Sequence, residues 1–134
     1  MTQEQKDLLL KDLCARLPYG VIVNVKGFDY DYNSKLTQIY NSVGCSIQVT
    51  TNIPYDIEQV KPYLFPLSSM TERQCYELSS IRSSFQDCWK YIKTPIPLSI
   101  CNFEQIEWFH KNHFDYRGLI PMGMAIDATG KNIY

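Results

Sequence analysis

No run of lysine or arginine occurs anywhere in this chain, and its 13 basic residues are offset by 14 acidic ones, for a formal net charge of −1. That balance excludes a surface that is basic as a whole, the usual footprint of a nucleic-acid protein. Long apolar runs are missing too. Stretches such as Leu8-Leu9-Leu10 are far too short to cross a bilayer. The opening residues, MTQEQKDLLLKDLCARL, have neither a basic region nor an apolar one of the signal-peptide kind, so a cytoplasmic protein without membrane contact is expected. No pair among Cys14, Cys45, Cys75, Cys88 and Cys101 has C-x-x-C spacing, and their number is odd. A disulfide framework and a cysteine-rich zinc site are therefore not expected, and the five are read as small buried hydrophobes in a reducing compartment. There is no G-x-S-x-G elbow and no P-loop. Histidine is scarce, with two in 134 residues, so any imidazole base must be His110 or His113.

What is present suits one globular domain spanning 1–134. Hydrophobic residues make up 45% and charged residues 20%, enough apolar material for a single core. Residues 2–17 predict a helix: Thr2 and Gln5 form a capping box, and Leu9, Leu10, Leu13, Cys14 and Leu17 recur at helical spacing before Pro18 and Gly20 stop it. Period-two alternation over 21–26, 36–41 and 47–50 predicts strands of an antiparallel meander, with turns at Gly27, Asn33-Ser34 and Ser42-Val43-Gly44. Pro54, Pro62 and Pro66 rule out a long helix over 53–70. Ile57 and Val60 there suggest a short fourth strand, and 63–67 an extended segment along the core. Thr71 and Gln74 cap a second predicted helix over 72–92, stapled by Met70 and Cys75. Asn102 and Gln105 cap a third over 103–113, with Cys101 and Ile106 as its staple and a Glu107–Lys111 pair on its surface. The fold class is α+β: an N-terminal helix, a small antiparallel meander or partly open barrel of three to four strands, two later helices and a packed apolar tail.

Three stretches invite a chemical reading. Asp29, Asp31 and Asn33 alternate as in an EF-hand loop, but Ser34 stands where that loop needs Gly and Tyr40 where it needs Glu, so a hairpin arm with Phe28, Tyr30 and Tyr32 on one face is the better reading. Ten tyrosines are available, and Tyr30, Tyr32 and Tyr40 on the sheet would suit recognition of a partner, since tyrosine offers a large stiff contact area with a polar tip. They would also suit base stacking, although the charge balance disfavours nucleic acid. Finally, HKNHFDYRGLI gathers His110, His113, Asp115 and Arg117. At about 100° per residue both histidines share a stripe with Phe103 and Ile106, so they face the core or its margin rather than a zinc ion. A histidine at a helix end also has a structural use, bonding the last carbonyls with its charged form favoured by the dipole. Asp115 and Arg117 are expected to pair with each other or to tie the tail to the helix end, and Gly118 to reverse the chain.

The segments PYGVIV, VKPYLFPLSSMTE and NHFDYRGLIPMGMA together resemble a family of small uncharacterised proteins from anaerobic gut bacteria and their phages or other mobile elements. The resemblance covers nearly the whole chain and implies a compact single domain in an accessory role. It implies no catalytic residue, cofactor or metal.

The leading expectation is thus a non-enzymatic interaction protein of phage or mobile-element origin. It would contact a protein partner through Tyr30, Tyr32 and Tyr40. A nucleic-acid-binding accessory protein is the second reading. The third is a small hydrolase or transferase using His110 or His113 with a nearby Cys or Asp. Partner identity and oligomeric state are left open by the residues alone.

Overall fold

A computed structural model of the chain describes residues 1–40, 46–50, 53–81 and 102–134. Their elements, in order, are helix α1 (Gln3–Arg16), strands β1 (Ile22–Lys26), β2 (Asp31–Tyr40), β3 (Ser46–Val49), β4 (Pro54–Asp56) and β5 (Val60–Pro66), helices α2 (Glu72–Ile81) and α3 (Phe103–Lys111), and strands β6 (Phe114–Asp115) and β7 (Ile126–Asp127). The fold is α+β, as expected, but the sheet is larger than three or four strands. Seven strands pair in the order β4-β3-β2-β1-β5-β6, with β7 also on β5, and the sheet does not close into a barrel.

The first four pairings of that order are antiparallel, whereas β6 and β7 join β5 in parallel. Val60, predicted to join Ile57 in a short fourth strand, opens β5, whose later part the prolines let the sequence predict only as an extended segment; Ile57 lies instead in a single 3-10 turn before it. Pro62 and Pro66 lack a donor, yet the strand still pairs with β1, placing Val60 opposite Val25 and Pro62 opposite Val23. The turn expected at Asn33-Ser34 is absent, because β2 runs straight through it; the reversal lies earlier, at residues 27–30. Gly27 is required there by close approach. A Cβ on it would lie 2.5 Å from the Tyr30 carbonyl oxygen.

Two apolar clusters flank β5. In the first, Val21, Val23 and Val25 of the predicted alternation are fully buried under Leu9 and Leu13 of α1, with Leu36, Val49, Val60, Leu64 and Leu119. Each such side chain contributes about 1.5–3 kcal/mol when fully buried. In the second, Cys75 and Leu78 of α2 meet Phe109 of α3, Leu67, Met70, Phe114 and Tyr116. Met70 and Cys75, the predicted staple, are both buried in it.

The three capping boxes exist. Thr2 and Gln5, Thr71 and Gln74, and Asn102 and Gln105 each exchange side-chain to backbone bonds. The apolar faces are less well anticipated. On α1 the buried positions are Leu9, Asp12, Leu13 and Arg16, while Cys14 is exposed and Leu10 and Leu17 only half-buried. On α3 they are Gln105, Phe109 and His110, and Phe103 is exposed. The helix is rotated toward Phe109 because Trp108 stacks flat on Phe114 at 5.5 Å and Phe109 on Tyr116 at 5.4 Å. Glu107 does not pair with Lys111; its carboxylate accepts from the Tyr19 hydroxyl at 2.5 Å. The turn expected at 42–44, the Cys101–Ile106 staple and the 82–92 portion of the second helix, with Phe85, Cys88 and Ile92, lie outside the described residues, as do Cys45 and Cys101.

Candidate functional site

The HKNHFDYRGLI stretch does build a polar cluster, but its centre is on α1. Asp12 and Arg16 are four residues apart on the stripe that carries Leu9 and Leu13, so both point inward and neither has any exposed side-chain surface. Arg16 Nε donates to Asp12 Oδ2 at 2.7 Å, and Arg117 Nε donates to Asp12 Oδ1 at 3.0 Å. Arg16 Nη2 donates to the Phe114 carbonyl at 2.7 Å. Both guanidinium groups lie over the Tyr116 ring, at 4.9 Å for Arg117 and 5.6 Å for Arg16. One carboxylate therefore holds two cations, and the three together lock α1 to the tail.

Arg117 thus reaches back across the molecule instead of pairing with Asp115. The Asp115 carboxylate accepts from the backbone N–H groups of Leu119 and Ile120, at 2.8 and 2.9 Å, and so shapes the turn after Gly118. Gly118 itself takes a φ of 77°, the left-handed conformation that reverses the chain there.

The two histidines separate. His110 is the last buried residue of α3, and its Nε2 shares a 2.6 Å hydrogen bond with the Tyr116 hydroxyl. Burial, with Arg16 adding repulsion, lowers its pKa to about 4, so the imidazole is neutral near pH 7. The charged, carbonyl-capping form expected at a helix end is replaced by a neutral ring bonded to a tyrosine. His113 lies beyond the helix with a φ of 62°, so it does not share the helical stripe of His110. Its ring stacks on Tyr134 at 3.7 Å with an interplanar angle of 8°, and burial then Arg16 lower its pKa to about 4 as well. The Tyr134 hydroxyl donates to the Tyr63 carbonyl and accepts from the Ile22 N–H, and burial raises its pKa to about 12. A general base needs reach to a substrate proton. His110 is 8% exposed and its Nε2 is already engaged, so this cluster ties elements together more readily than it turns over a substrate. Among the described residues no group of three His, Cys, Asp or Glu side chains could hold a metal ion.

A second, accessible feature forms at the β1–β2 hairpin. Gly27, Phe28, Asp29, Tyr30, Tyr32, Ile53 and Tyr55 line a groove of about 330 Å³, open to solvent on one side. Strand registry sets its floor. Tyr32 lies opposite Val25 on the α1-facing side of β2, and its hydroxyl bonds that of Tyr55 from β4 at 2.5 Å. The rings meet at steep angles: Tyr30 and Tyr32 are 5.9 Å apart at 57°, and Tyr32 and Tyr55 are 6.2 Å apart at 65°. The rim is apolar and open. Phe28 is fully exposed, Tyr30 is 72% exposed and Ile53 is 52% exposed.

The structure brings Tyr30 and Tyr32 together but not Tyr40. Between Leu36 and Gln38 the β2–β3 register shifts, so Leu36 and Ile39 both face the core although they are three residues apart. That bulge reverses the side-chain parity of the rest of β2. Tyr40 falls on the opposite face, about 26 Å further along the strand, where its hydroxyl lies 2.9 Å from Gln38 Oε1 and 2.5 Å from Gln48 Oε1. The residues that sequence reasoning missed are Asp12, Arg16 and Ile53. The first two carried a signal, since positions 9, 12, 13 and 16 follow the i, i+3, i+4, i+7 pattern of one helix face. Ile53 carried none, because only the pairing of β4 with β3 brings it to the hairpin.

No family model, no curated protein and no solved structure matches this chain.

Proposed function

We propose that the protein is a non-enzymatic binding module that engages a protein partner through the aromatic groove of its β1–β2 hairpin. One observation carries this reading: Phe28, Tyr30 and Ile53, each more than half exposed, line one groove together with Tyr32 and Tyr55, whereas other exposed large apolar side chains among the described residues, such as Tyr76 and Phe103, lie outside it. Isolated exposed apolar residues are ordinary, but three that converge on a groove cost solvation free energy and are the usual mark of an interaction site. Aromatic anchors with polar tips are also the side chains that dominate protein interfaces. The one charged side chain among the described lining residues is the Asp29 carboxylate, which repels phosphate and so favours a protein segment over nucleic acid. An accessory role in a phage or other mobile element, the setting implied by the resemblance of the VKPYLFPLSSMTE and NHFDYRGLIPMGMA motifs, suits a small module of this kind.

The test is a photo-crosslinking residue placed at Phe28, with a control at exposed Thr129 on the tail, both expressed in cells of the organism that encodes the protein. A discrete adduct from position 28 alone, lost when Tyr30 is also changed to Ser, supports the reading. Equal adducts from both positions, or none from position 28, overturn it.

A further inference from the structure

Most of the groove is apolar, yet one acidic residue belongs to its lining. Asp29 lies between Phe28 and Tyr30 at the hairpin tip, with Asp31 two residues on and also exposed. A carboxylate beside three tyrosine rings and a phenylalanine ring is poorly matched to a purely hydrophobic anchor. Desolvating it against an aliphatic side chain leaves an unpaired charge, which costs far more than the apolar contact returns. The same set of groups is well matched to a cation. Aromatic faces carry negative quadrupoles, and Tyr30, Tyr32 and Tyr55, whose rings lie 5.9 and 6.2 Å apart in succession, all line this one groove. An ammonium is strongly hydrated and resists entry into such a site. A guanidinium is weakly hydrated, stacks flat on aromatic rings and offers a fork of N–H donors to a carboxylate.

From this geometry we infer that the groove takes an arginine side chain of the partner protein, its guanidinium lying on the Tyr30 and Tyr32 rings and donating to the Asp29 carboxylate. The inference rests on the groove being the contact surface. Phe28, fully exposed at the groove rim, offers its ring to the stem of that arginine.

The experiment is an NMR titration of the intact protein with three probes of nearly equal shape: the Nα-acetyl N-methylamides of arginine, citrulline and lysine. Citrulline replaces the guanidinium with a neutral urea and leaves the stem unchanged. Arginine is expected to shift the ring resonances of Tyr30, Tyr32 and Tyr55 and to bind roughly two- to thirty-fold more tightly than citrulline, the range spanned by exposed to desolvated cation–π contacts. Lysine is expected to fall between them. Asp29→Asn should remove most of the advantage of arginine over citrulline. Tyr30→Leu should weaken arginine more than citrulline, since it keeps apolar area and drops the quadrupole. Both positions are exposed, so an unchanged melting temperature confirms that the variants fold.

Equal affinity for arginine and citrulline, or an Asp29→Asn variant that binds arginine unchanged, overturns the inference. It leaves the groove as a contact surface of another chemistry if the position-28 crosslink persists. Absence of any shift at the groove rings with all three probes also overturns it, and the crosslinking result then decides separately whether the surface itself is a contact site.

Discussion

Among the described residues, Asp12 ties together the most distant parts of the chain through a buried charge. Its two carboxylate oxygens are each taken by a different arginine, one from its own helix and one from the tail, and no part of the side chain reaches solvent. Replacing it with Asn leaves the Arg16 cation buried without a counter-charge. Removing one member of a buried ion pair costs about 3–5 kcal/mol. Asp12→Asn is therefore expected to lower the urea midpoint sharply, and a loss below about 1 kcal/mol would mean that solvent reaches Arg16 after all. The histidines have a different signature. His110 and His113 have folded pKa values near 4, below the 6.5 of an unfolded chain, so the unfolded state binds more protons between those values. Their contribution is fully present above about pH 6.5 and is lost as pH falls toward 4, at no more than about 1.4 kcal/mol per pH unit for each ring. Denaturation between pH 7 and 5.5, above the range where ordinary carboxylates titrate, should show stability falling with acid. His113→Asn keeps a residue that tolerates the left-handed backbone and should remove part of that slope.

Elements differ in how far their own residues dictate them. The Val21-Val23-Val25 alternation and the three capping boxes were legible because each rests on spacing within one segment, and those bonds form as the spacing requires. A quantitative check follows from the third box. Asn102→Ala removes the acceptor of the Gln105 N–H, which lies at 2.8 Å, and should cost about 0.5–2 kcal/mol. An Asn102→Gly change should cost only a few tenths, and equal losses for the two would show that the cap bond is not the cause. Elements that depend on a distant partner were not legible. Strands β6 and β7 are two residues each and exist only because β5 offers them its backbone groups. The bulge in β2 leaves no mark in the alternation of 36–41, yet it decides that Tyr40 leaves the face of Tyr32. The spacing of 9, 12, 13 and 16 places Asp12 and Arg16 on the buried stripe of α1, but the partner that accompanies their burial, Arg117, lies 105 residues after Asp12 and is not legible from the helix alone.

At the scale of the molecule, the question is whether the two apolar clusters unfold as one. They have different helices, α1 over the first and α2 with α3 over the second. Three ties argue for a single unit. Strand β5 contributes Leu64 to one cluster while Phe65 packs on the other, so neither can lose the strand independently. Arg16 of α1 bonds the Phe114 carbonyl, a residue of the second cluster. Tyr134 links the Tyr63 carbonyl of β5 to the Ile22 N–H of β1 while its ring lies on His113. Local stability follows the density of such cross-ties, and these join elements of both clusters. The expected result is one cooperative transition, with Trp108 fluorescence, read in a Trp89→Phe background, reporting the second cluster and amide exchange at Val23 and Val25 reporting the first, at coincident midpoints. An early loss of Trp108 signal while the valine amides stay protected would instead show that α2 and α3 form a separable unit. The hairpin groove, carried by β1, β2 and β4, would then survive that first step, and groove ligands would raise only the second midpoint.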